Sequence, residues 1–165
     1  MFEVLSKPEY QHVLLNHLPI TGLAAALIAL LGSWILGQRR ATIFCIFLVA
    51  LFAASAWPVF ATGEAAHDRV ESLVYNEGGA WLDYHHHLAE TWVWVFYLTA
   101  AVALAGGLLA IFRKEWTKWA ALLTTLCALA SLAAGVYIAE AGGKIRHEEF
   151  RDGPPPAVAE HDHSD

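Results

Sequence analysis

The sequence predicts an all-α polytopic membrane protein, a bundle of four transmembrane helices with both termini outside. Three observations predict it. The 165-residue chain is 57% hydrophobic and only 16% charged. Its apolar residues gather in four runs, about 18–36, 41–61, 91–112 and 117–139, and charge stays out of their interiors, Lys118 standing at the very start of the fourth. Each run is near the ~20 residues that cross ~30 Å of hydrocarbon. All nine histidines, finally, fall at one end of these runs and none at the other. A soluble helical bundle would have shorter apolar runs and more charge on its surface.

Before the first run, Ser6 is a candidate N-cap, with Pro8 just inside and Glu9 in the first turn, so a polar helix is expected to lead into the membrane. Pro19 interrupts it near the start of the first span, and Pro58 does the same near the end of the second. Each proline removes one backbone hydrogen bond and presses on the carbonyl four residues back, here those of Leu15 and Ala54. Small residues populate the spans: Gly22, Ala25, Ala29, Gly32 and Ser33 in the first, Gly106 and Gly107 in the third, and Gly135 in the fourth. In lipid they allow close approach between helices. Trp57, Trp81, Trp92 and Trp94 at one end, with Trp34, Trp116 and Trp119 at the other, form the expected interfacial belts.

Orientation follows from the connections. Gly37-Gln38-Arg39-Arg40 joins the first two spans, and Phe112 to Lys118 joins the last two, placing five basic residues and one acid in a few positions. The opposite side spreads the other five basic residues among fifteen acids. The positive-inside rule makes the short turns cytoplasmic, and puts both termini and a 62–90 loop on the periplasmic or extracellular face of a bacterial inner (cell) membrane. No cleavable signal is expected, and Cys45 and Cys127, inside spans, read as small apolar fillers. One domain, 1–152, is followed by an acidic tail rich in Pro and His, 153–165, expected to be disordered. The lipid bilayer is the expected partner, and a nucleic acid is not.

The chemistry lies at the histidine end. Glu64 and His67 are three apart, and His86 and Glu90 four apart, so each pair shares a helix face; His87 and Glu90 do as well. With His17 from the first span and Glu140 from the fourth, these groups could converge. Three chemistries are open to such a layer. His17 with His86 or His87 could ligate a b-type haem. A set including Glu64, His67 and Glu90 suits non-haem iron or zinc. A histidine and carboxylate layer could also relay protons without metal. His12, His161 and His163 read as solvated. The end without histidine argues against an electron relay across the whole membrane, which leaves exchange with a quinone or a redox protein on one side. No nucleophile elbow, phosphate loop or Cys-x-x-Cys-His motif is present.

Asn16-His17-Leu18-Pro19-Ile20, Thr62-Gly63-Glu64, His85-His86-His87-Leu88-Ala89-Glu90 and Gly142-Gly143-Lys144-Ile145 together resemble the signature of a bacterial family of four-helix membrane proteins of unknown function, over roughly 12–147. Leu18 stands where that family has an aromatic residue, and His147 comes early. The resemblance implies a redox setting, since relatives occur beside cytochrome modules. The sequence reading is thus a membrane protein with a haem- or metal-binding His/Glu cluster, serving redox or respiratory electron transfer. The alternative is a non-catalytic subunit or scaffold, in a homo-oligomer or a larger membrane complex.

Overall fold

A computed structural model describes residues 2–75 and 77–157. A short helix, α1 (Phe2–Leu5), precedes α2 (Pro8–Leu15); a π-helical turn at Leu18–Gly22 then leads into α3 (Leu23–Ile35). Two helices follow almost end to end, α4 (Arg39–Ala54) and α5 (Ala56–Glu71). The chain finishes with α6 (Gly78–Phe112) and α7 (Thr117–Arg146). No strand is present among the described residues. Four stretches are long and apolar enough to cross a membrane: Pro8–Ile35, Arg39–Glu71, Gly78–Phe112 and Lys114–Arg146.

These stretches are longer than the sequence suggests, and the excess lies mostly at the histidine end. At 1.5 Å per residue, the 35 residues of α6 extend about 50 Å, well beyond a ~30 Å hydrocarbon layer. The apolar part of α6 begins near residue 91, so its first three turns extend past the apolar stretch. Among the described residues, the expected 62–90 loop is therefore helical except at 72–75 and 77. Carboxylates and imidazoles in that stretch stand on rigid backbone.

Both prolines act as the sequence implies. Pro19 is buried in the π-helical turn, where the His17 carbonyl accepts bonds from the N–H groups of Thr21 (2.8 Å) and Gly22 (3.3 Å) and from Thr21 Oγ1 (2.5 Å). The wider turn changes the register of α2 against α3. Pro58 lacks an N–H for the Ala54 carbonyl, and the break between α4 and α5 falls there, at Ser55. Ser6 differs from expectation: its hydroxyl donates to the Glu3 carbonyl, and Lys7 precedes α2 without a side-chain cap.

The core is built from small residues. Ala53, Ala103, Ala110, Ala121 and Ala128 are fully buried, beside Leu23, Leu30, Ile46 and Val49. A Cβ on Gly107 would meet Phe47 at 2.9 Å, and one on Gly106 would meet Ala120 at 3.2 Å, so α6 lies close against α4 and α7. Thr99 Oγ1 and Ser131 Oγ, both fully buried, are 2.8 Å apart, and Thr99 reaches the carbonyls of Val95 (2.9 Å) and Cys127 (3.1 Å). Interhelical hydroxyl bonds of this kind join helices where hydrophobic burial supplies little driving force. Large apolar side chains point outward instead: Ile28, Ile35, Phe44, Leu51 and Phe112 are all more than 60% exposed. That inversion suits a lipid environment. Trp81 departs from the expected belt; it is buried, with the Lys144 ammonium 4.9 Å from its ring centroid. Trp34 is half-buried against the core. At the end without histidine, Arg39 donates to the carbonyls of Ala110 (2.6 Å) and Ile111 (3.2 Å), two of the acceptors left open where α6 ends.

Candidate metal centre

The continuation of α5 past Pro58 carries Glu64 toward the projecting first turns of α6. There His86 Nδ1 lies 3.1 Å from Glu64 Oε1, and His86 Nε2 lies 3.5 Å from Glu90 Oε1, one turn along the same helix. One ligand atom from each of Glu64, His86 and Glu90 falls within 4.8 Å of the other two. The three side chains are partly open to solvent, at 46%, 28% and 54% exposure, so an ion can reach them.

His67 flanks this group. Its ring centroid is 5.0 Å from that of His86, at 65° between planes, and its Nε2 is 3.5 Å from Asp83 Oδ1. Its Nδ1 lies 3.9 Å from Asp68 Oδ1. Asp83 is not among the site residues expected from sequence, although it stands one turn before His86, and that spacing is the signal for it. The Glu9–Arg69 ion pair, 2.8 Å, ties α2 to the same stretch of α5.

The group has two chemical states. A doubly protonated His86 can donate to both carboxylates at once. A neutral His86 keeps a lone pair on one nitrogen and can join Glu64 and Glu90 around a cation, the N–H of its other nitrogen still directed at a carboxylate. Nitrogen with two carboxylate oxygens is a borderline donor set suited to iron or zinc. Three protein ligands also leave coordination positions for water or substrate.

The other expected site residues lie outside this group. His17 is exposed and contributes its backbone carbonyl to the π-helical turn. His87 is half-buried and belongs neither to the group nor to a ring pair among the described residues. Glu140 pairs instead with Lys144 at 2.8 Å, one turn along α7. His147 is exposed beside Glu149, 2.9 Å away, and stacks on Phe150. Its bond holds the Glu149 carboxyl below the ordinary glutamate range. His161, His163 and the end of the tail lie outside the described residues. His12 is not simply solvated: it is half-buried, and its Nδ1 donates to the Val59 carbonyl at 2.9 Å. No protein family, curated protein or solved structure matches this chain.

Proposed function

We propose that the chain is a multi-pass membrane protein that holds one non-haem transition-metal ion, of the iron or zinc class, between α5 and α6, and that the ion serves redox or respiratory chemistry at the bacterial cell membrane. The observation that carries the reading is the convergence of Glu64, His86 and Glu90 within 4.8 Å on the projecting ends of two helices. Helices position donors more rigidly than loops do, which favours a preorganised site. His67 and Asp83 then orient the ligand set from outside it, as partners of metal-bound imidazoles commonly do. A position beyond the apolar part of the bundle suits electron exchange with a quinone at the membrane surface or with a soluble redox protein. The four turn and helix-start motifs that resemble the bacterial four-helix family support the same setting.

The test uses the full chain in detergent, stripped of metal and titrated anaerobically with Fe(II) and separately with Zn(II). The E64Q/E90Q double variant is expected to bind one equivalent fewer than wild type, read by elemental analysis. Equal stoichiometry in the two proteins would overturn the site. For the redox part, iron-loaded wild type should be reoxidised by a soluble quinone faster than the double variant; equal rates would remove it.

A further inference from the structure

We propose that His12 and His85 form a second, all-imidazole site, in which the Nε2 atoms of the two rings take opposite positions on one transition-metal centre. Neither ring belongs to the Glu64–His86–Glu90 group. His12 Nδ1 donates to the Val59 carbonyl of α5 at 2.9 Å, and His85 Nδ1 donates to the Ile138 carbonyl of α7, also at 2.9 Å. A carbonyl can only accept, so both rings carry their proton on Nδ1, and Nε2 is the lone-pair nitrogen in each. Neither Nε2 has a hydrogen-bond partner among the described residues. A backbone carbonyl on one ring nitrogen is the usual device for presenting the other to a metal, because it fixes the tautomer and the ring orientation.

The spacing agrees. The two ring centroids are 6.4 Å apart, with planes crossed at 86°. Two imidazoles bound trans to one metal through ~2.0 Å bonds have centroids about 6.3 Å apart, and crossed planes keep their edges clear of each other. Edge-to-face packing alone also allows this distance, but it explains neither the two pinned tautomers nor the clearance made for each ring. That clearance comes from glycine. A Cβ on Gly63 of α5 would stand 3.0 Å from His12 Cε1, and a Cβ on Gly142 of α7 would stand 3.0 Å from His85 Cε1. Each ring therefore lies against the backbone of the helix whose carbonyl holds it.

Trans bis-imidazole coordination can be satisfied by a bare copper(I) ion or by the iron of a haem; both accept nitrogen ligands of this kind. The experiment has an arm for each. Full-length chain in detergent, carrying E64Q/E90Q so that the carboxylate group is disabled, is titrated with copper(I) under anaerobic conditions and, separately, with hemin. One equivalent of one probe is expected, with two imidazole nitrogens in the copper X-ray absorption spectrum or a six-coordinate low-spin haem spectrum. H12Q and H85Q, each placed on that background, should lower affinity at least 100-fold while helix content is kept. If those variants do not fold, the absorption or haem spectrum of the E64Q/E90Q protein decides alone. Binding of neither probe, ligation without two imidazoles, or retention of affinity in folded H12Q and H85Q would overturn the site.

Discussion

His86 lies between two carboxylates that reach solvent, whereas His85, one residue earlier on the same helix, is held by a backbone carbonyl of α7 and faces another imidazole. A single helical step of about 100° separates the two environments. One offers anionic oxygen donors and suits a hard or borderline cation; the other offers only neutral nitrogen. Adjacent residues of one type thus stand in different surroundings because different helices pack beside them. The clearance differs as well: glycine backbone admits the rings of His12 and His85, while Glu64, His86 and Glu90 meet through long side chains that can adjust.

That contrast makes the imidazole pair the more fragile of the two. Gly142→Ala places a methyl 3.0 Å from His85 Cε1 and 3.1 Å from its Nδ1, pushing the ring off the Ile138 carbonyl. Affinity at the His12–His85 pair should fall about tenfold, or roughly 1.4 kcal/mol, while Fe(II) binding at the carboxylate group stays unchanged. Equal effects at both would show that the two environments are one coupled site. A smaller effect, about 1 kcal/mol of bundle stability, is expected for Thr99→Val, which removes the buried Thr99–Ser131 bond between α6 and α7. Unfolding in mixed micelles measures it, and metal binding at either place should not change, since the hydroxyl pair sits several turns away along α6. The smallest effect belongs to the exposed end of α7. In His147→Ala, the Glu149 carboxyl should titrate at a higher pH than in wild type, back toward an ordinary glutamate, as followed by carboxyl-carbon NMR. The bond favours the ionised carboxylate, so any stability it adds is present above the ordinary glutamate pKa and is lost as pH falls through the depressed one. An unchanged midpoint would show that His147 and Glu149 are not bonded in solution.

The carboxylate group was largely legible in the sequence. Glu64, His86 and Glu90 all stood out, because the pair at i and i+4 is visible as spacing and α5 needed only to continue past Pro58. His67 was legible by the same rule, and Asp83 was within reach of it. The partnership of His12 with His85 was not legible. It depends on the register of α2 after the π-helical turn and on carbonyls at Val59 and Ile138, and backbone acceptors leave no trace in residue type. His17, beside Pro19, stood out for its position, yet that same turn leaves its side chain exposed.

Composition and periodicity alone determined four long apolar helices, the polar character of one end and the proline breaks, because length, apolar composition and a missing N–H are properties of local sequence. Which histidine meets which partner was decided only in the tertiary structure. An imidazole can face any of several neighbours at equal local cost, and helix register, glycine clearance and backbone carbonyls from distant segments select among them.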